Sequence, residues 1–161
     1  MKQVPSTAAA RIEDFLAQRR IAVVGVSRDE KGFARVMFRD FLSYGYDVVP
    51  VNPNAVTVED RPCYPNVAAI SPPVDGVFVL TAPSIAGQIV TECLSTGVPR
   101  VWVHFASGSK KLDPELIERC EKGGVSLIRG FCPYMFIRQT NWFHRLHGWF
   151  ARRSPAYRAG K

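Results

Sequence analysis

Ile21-Ala22-Val23-Val24-Gly25-Val26-Ser27, the stretch IAVVGVS, decides the fold. The run is almost purely apolar and breaks at Gly25-Val26-Ser27 into a polar loop. That loop opens an amphipathic helix at about Gly32, in which Phe33, Met37, Phe41 and Tyr44 recur at three or four residues. An apolar strand with little alternation is covered on both faces, the condition of a parallel sheet. A glycine at the strand end lets backbone amides approach a ligand closely, and the helix N-terminus beyond it favours anions.

Working outward, four further apolar runs read as strands: Asp47–Val51, Val74–Leu80, Arg100–Phe105 and Val125–Arg129. Between them, Ile85, Ile89, Cys93 and Leu94, and then Leu116, Ile117 and Cys120, repeat at helical spacing. Pro83 and Pro114 suit first helical turns, Asp113 suits a cap, and Gly45, Gly97 and Gly123-Gly124 suit helix ends. An extra helix is expected over roughly Ala8 to Gln18, and a short one near Asn66 to Ile70. Regular alternation predicts a single doubly wound α/β domain with helices on both faces of about five parallel strands. The expected strand order is 3-2-1-4-5, with a ligand crevice at the carboxyl ends near the switch between the first and fourth strands.

With 161 residues and 47% hydrophobic content, the chain fits one domain of the usual roughly 100–200 residues. Residues 1–137 form its body and residues 138–161 a basic aromatic tail belonging to it. No apolar run approaches the roughly 18 residues of a membrane span, and MKQVPSTAAARIEDF lacks the apolar centre of a signal peptide. A cytoplasmic location is expected. Cys63, Cys93, Cys120 and Cys132 are scattered without metal-ligand spacing, so neither a zinc site nor a disulfide scaffold is suggested. Cys93 and Cys120 fall in helical patterns and read as buried packing thiols. The net charge of +7 is uneven: residues 1–137 carry 15 Lys and Arg against 14 Asp and Glu, whereas the last 24 residues carry six cations and no acid. Basicity confined to a tail argues against a general nucleic-acid surface.

The first loop, GVSRDEKGF, is not a G-x-G-x-x-G turn, and the second strand ends in Asn52 where NAD-binding domains place an acid. NAD is therefore disfavoured. Arg28, Lys31 and Arg35 beside the helix N-terminus suit phosphate, or else form a solvated face balanced by Asp29 and Glu30.

The runs IAVVGVSRDEKGFARVMFRDFLSYGYDVVPVNPNA, VDGVFVLTAPS and GVSLIRGFCPYMF, in that order, resemble the small CoA-binding domain proteins. More distantly they are similar to the N-terminal domain of the succinyl-CoA synthetase alpha subunit. The resemblance covers about residues 12 to 137 and implies a Rossmann-like fold that binds CoA or an acyl-CoA. By that resemblance Gly25, Val26 and Ser27 meet the diphosphate, with Lys31, Phe33 and Arg35 on the same rim. Asn52 and Pro53 border the adenosine, and Thr81, Ala82 and Pro83 line the pantetheine path. Cys132 and Pro133 match a cysteine and proline turn whose flanking residues differ here; Cys132 is either a packing thiol or a cleft residue near the CoA sulfur. Where the synthetase pattern has a lysine this chain has Ala55, and Arg28, Lys31 or Arg61 stand as substitutes.

No catalytic residue or metal ligand is assigned. Synthetase chemistry needs a phosphorylated histidine in a second domain and a nucleotide-binding partner subunit. Here His104 ends the fourth strand, reading as a structural imidazole, and His144 and His147 sit in the tail without a completing ligand. No Gly-x-Ser-x-Gly elbow appears. The expected function is a binding, sensing or carrier module for CoA; the alternative is a small acyl-CoA- or nucleotide-dependent enzyme. In the tail, Trp142, Phe143, Leu146, Trp149 and Phe150 share a helical face. Such a helix docks on its own domain, or contacts a second copy, a partner or an anionic membrane surface.

Overall fold

The computed structural model describes residues 4–105, 112–137 and 153–158. The expected alternation is present. Helix α1 (Ala8–Leu16) precedes β1 (Arg20–Val24), and α2 (Phe33–Ser43) leads to β2 (Asp47–Val51). After a small hairpin of β3 (Thr57–Val58) and β4 (Arg61–Pro62), the chain alternates through β5 (Gly76–Val79), α3 (Pro83–Ser95), β6 (Arg100–Val103), α4 (Pro114–Lys122) and β7 (Ser126–Arg129). A 3-10 turn, Pro133–Met135, follows, and the last described element is the helical turn α5 (Pro155–Arg158). No described helix is long and apolar enough to cross a membrane.

All five main strands pair in parallel, in the order β2-β1-β5-β6-β7. Counted along the chain this is 2-1-3-4-5, which corrects the expected 3-2-1-4-5. The reason lies in residues 52–75. Tyr64 donates its N–H to the Pro50 carbonyl (3.0 Å) and accepts from Asn52 N–H (2.9 Å), so a one-residue parallel bridge to Val51 fills the outer edge of β2. The chain then returns to β1, where Asp75 N–H donates to Arg20 O (2.8 Å) and the Asp75 carboxylate accepts from Arg20 N–H (3.0 Å). The next strand, β5, therefore takes the free edge of β1. The reversal in strand order falls between β1 and β5, and ligands of open α/β sheets bind at the carboxyl side of such a switch point.

Two smaller differences concern the same stretch. Residues 66–70 form a turn, with Ala69 N–H on Asn66 Oδ1 (2.9 Å) and Ile70 N–H on Val67 O (3.2 Å), not the expected short helix. Between Pro65 and Pro72 there is too little chain to repay helix nucleation. The β3–β4 hairpin escaped the sequence because its turn residues, Glu59 and Asp60, have positive φ (48° and 58°) without being the Asn or Gly that announce such turns.

Side chains alternate between two cores. One sheet face sends Val24, Val51, Val77, Val79, Val101 and Leu127 against α3 and α4; the other sends Ile21, Val48, Phe78, Trp102 and Ile128 against α1 and α2. Cys93 and Cys120 are fully buried in the first core, as the helical pattern predicts. Burial pushes the Cys93 thiol up to about 12. The expected tail helix over residues 142–150 lies outside the described residues. Beyond it, Tyr157 is buried on the second face, its ring stacked on Phe136 at 5.5 Å.

Candidate functional site

The carboxyl ends of β1, β2 and β5 meet at Gly25. Its φ is +98°, its N–H donates to Val51 O (3.2 Å), and a β-carbon there would lie 2.8 Å from Leu80 O and 2.9 Å from Thr81 Cγ2. Only glycine fits such a crossing. Val26 is fully buried and pins the loop to the second core. Asn52 latches it from the side: its Nδ2 donates to Val26 O (2.6 Å) while its Oδ1 accepts from Asn54 N–H (2.8 Å), turning the chain at Pro53. Ser27 Oγ accepts from Asp29 N–H (2.9 Å) and Asp29 Oδ1 from Lys31 N–H (3.0 Å), so side chains fold the loop before α2 begins.

Two helices start beside this crossing without a side-chain cap. Gly32 precedes α2 and Ala82 precedes α3, and neither first turn carries an acid. By contrast α1 is capped by Thr7 and α4 by Asp113, with Glu115 in the first turn of α4. Uncapped N-termini present unsatisfied amides and the positive end of the helix dipole, the arrangement that holds anionic groups. Thr81 Oγ1, at the β5 end, is buried without a hydrogen-bond partner. An orphaned hydroxyl of this kind calls for a partner.

The sequence-predicted cations divide. Arg28 and Lys31 are exposed on the loop. Arg35 lies in a tether: Nε meets Glu59 Oε1 at 2.6 Å and another guanidinium nitrogen meets Ser27 O at 3.3 Å. Arg39, which the sequence did not single out, reaches the same Glu59 oxygen (2.7 Å) and Glu30 O (2.7 Å). These hydrogen bonds, Arg35 first, hold the Glu59 carboxyl below its ordinary range against a smaller opposing effect of burial. Arg61 pairs with Asp47 at 3.5 Å at the start of β2, which draws it to the opposite end of that strand from the crossing.

A second group lines the carboxyl ends of β6 and β7. Phe33, 37% exposed at the start of α2, has its ring 5.4 Å from His104 and 6.0 Å from Tyr134. Tyr134 donates its hydroxyl to Asp40 Oδ2 at 2.5 Å, and burial together with that carboxylate holds the phenol far above its ordinary value. Half-buried His104 is held below its usual pKa by burial, opposed by a hydrogen bond with the Phe131 backbone. Cys132 is half-buried, its thiol raised by burial, and Pro133 starts the 3-10 turn beside it. Contacts among Phe33, His104, Tyr134 and Asp40 join residues far apart in the chain, Phe33 and Tyr134 most of all, and no local pattern announces them. Among the described residues no cluster of His, Cys, Asp and Glu is arranged to hold a metal. A groove of about 560 Å³ between α3 and α4 shares only Pro83 with the predicted residues.

The sheet and its helices define a doubly wound α/β protein with two uncapped helix N-termini at the carboxyl ends of its strands. The chain belongs to the CoA-binding domain family, whose model, described as CoA binding domain, matches residues 19–138. It is 27% identical over 131 residues to the ADP-forming acetate–CoA ligase I of Archaeoglobus fulgidus, covering 75% of this chain but only 18% of that protein. Among solved structures it is similar to a conserved hypothetical protein of Pyrococcus furiosus, with 31% identity and a TM-score of 0.63 over 71% of this chain and 95% of that one. It is similar also to the dinucleotide-forming acetyl-coenzyme A synthetase 1 of Candidatus Korarchaeum cryptofilum, in complex with phosphate and ADP, with 27% identity and a TM-score of 0.65. There the match covers 73% of this chain and 27% of the synthetase.

Proposed function

We propose that this chain binds CoA or an acyl-CoA across the carboxyl ends of β1, β2 and β5, as a cytoplasmic binding, sensing or carrier module. The observation that carries the reading is the convergence of two uncapped helix N-termini, of α2 and α3, on the Gly25 crossing at the strand switch. The diphosphate lies against the amides of Val26 and Ser27, the Gly25 N–H being held by Val51 O, with Arg28 and Lys31 supplying charge at the open rim. Asn52 and Pro53 border the adenosine, and Thr81 Oγ1 donates to the pantetheine arm as that arm passes Ala82 and Pro83. CoA supplies a thiol that carries an acyl group as a thioester; the protein supplies the shape and the fixed dipoles. NAD fits less well, because Asn52 is engaged with Val26 O and Asn54 N–H and offers no carboxylate for ribose hydroxyls.

Calorimetric titration of CoA, dephospho-CoA and NAD into the protein and into Gly25→Ala tests the reading. CoA should bind more tightly than NAD, and Gly25→Ala should weaken CoA at least tenfold, about 1.4 kcal/mol, because the added β-carbon forces the crossing apart. Tight NAD binding without CoA binding would sink the proposal. Sustained thioester turnover, abolished by one cleft substitution, would replace the binding module with an enzyme.

A further inference from the structure

The wall formed by Phe33, His104, Cys132 and Tyr134 carries no Lys or Arg, yet it stands beside the loop proposed to hold phosphate. Resting on the CoA reading above, we propose that this wall receives the acyl end of the ligand and selects uncharged acyl groups over those that end in a carboxylate. Phe33 presents a large apolar ring that is still 37% exposed, steadied by contacts with His104 at 5.4 Å and Tyr134 at 6.0 Å. An exposed aromatic at a helix start, held by two other rings, is a preformed apolar surface at little entropic cost.

The polar atoms of the wall point the same way. The Tyr134 hydroxyl is committed to Asp40 at 2.5 Å, which places a carboxylate behind the wall. Burial favours the neutral imidazole of His104 and the protonated thiol of Cys132. A second carboxylate brought here would lose water, meet neutral groups and approach the negative charge of Asp40. Nothing comparable opposes a methyl or propyl chain. The loop before α2 meanwhile holds the diphosphate and the arm passes the start of α3, leaving the acyl end of the ligand to extend toward the β6 and β7 ends.

Butyryl-CoA and succinyl-CoA carry four-carbon acyl groups that differ by the terminal carboxylate, so titrating both beside CoA isolates the charge. Butyryl-CoA should bind at least as tightly as CoA, and succinyl-CoA at least tenfold more weakly than butyryl-CoA. Phe33→Ala, a change at a partly exposed position, should lower affinity for butyryl-CoA more than for CoA. Equal or tighter binding of succinyl-CoA would overturn the acyl selection while leaving the CoA reading intact. So would an equal loss for both ligands in Phe33→Ala. Failure of CoA itself to bind would overturn both.

Discussion

Val77 and Phe78 are neighbours in β5, both without exposed surface, and they face two differently built cores. On the Val77 side, β-branched and aliphatic residues from the strands meet Ala86, Ile89, Val90 and Cys93 of α3 and Leu116 and Cys120 of α4. On the Phe78 side, Phe15, Phe41 and Trp102 surround one ring at 4.6, 5.0 and 5.3 Å. The aliphatic face packs helices and is closed just beyond the strand ends by Leu112 and Phe105. The aromatic face runs on past the strand ends, through Trp102, whose indole N–H donates to Phe131 O at 3.0 Å, to Phe136 and Tyr134. Large rings have few rotors and hold their shape where packing thins out, so the face built from them can continue into a ligand wall.

The largest expected effect separates these faces directly. Phe78→Ala should cost roughly 3–5 kcal/mol, the usual penalty for emptying a buried aromatic site. Val77→Ala removes only two methyl-sized groups and should cost about 2 kcal/mol. Urea denaturation of both variants measures the difference. Equal losses would mean that the two cores are energetically alike and that the contrast is one of composition only.

The sheet that separates these two faces was legible in the chain; the difference between the faces was not. IAVVGV and the runs after it announced a parallel sheet, because continuous apolar strands make sense only between two layers of helix. The helix starts at Gly32, Pro83 and Pro114 followed from local chemistry that survives folding unchanged, and Asp113 caps α4 as its side chain allows. The strand order was not legible. It depends on a one-residue bridge at Tyr64 and on Asp75 meeting Arg20, contacts between segments whose local sequences carry no mark of each other. The same holds at the site: Gly25 could be read from its place at a strand end, whereas Asn52 as a latch and Glu59 as a clamp required knowing what lies opposite them.

That clamp supplies the next prediction, since α2 carries Phe33, Phe38 and Phe41 of the aromatic face and directly follows the loop proposed to hold the diphosphate. Glu59 Oε1 accepts from Arg35 and Arg39, and each arginine also holds a loop carbonyl, Ser27 O or Glu30 O. Glu59→Gln should weaken CoA binding several-fold by loosening the loop. It should lower stability by only about 1 kcal/mol or less, because the carboxylate is partly solvated. Its folded pKa is depressed, so the stabilisation is present above its ordinary value of 4.5 and is lost as pH falls through the folded value. The variant should lack that acid-dependent loss. A stability drop as large as that of Phe78→Ala would place the clamp in the core, not at the loop.

The smallest effect concerns His104, where the aromatic face meets the crevice. Burial depresses its folded pKa below 6.5, and the Phe131 backbone hydrogen bond only partly offsets this. The unfolded chain therefore takes up the proton more readily than the folded one. The stability contribution is complete above pH 6.5 and declines as pH falls toward the folded value. The difference in unfolding free energy between the wild-type protein and His104→Gln should be flat from about pH 8 to 7 and shrink below about 6.5. His144 and His147 are shared by both proteins and cancel in the difference. A bound acyl group would bury the imidazole further, so butyryl-CoA affinity should fall over the same acidic interval in the wild type but not in the variant. A difference that grew as pH fell would mean that protonated His104 gains a partner on folding, and the neutral wall at the end of the aromatic face would have to be abandoned.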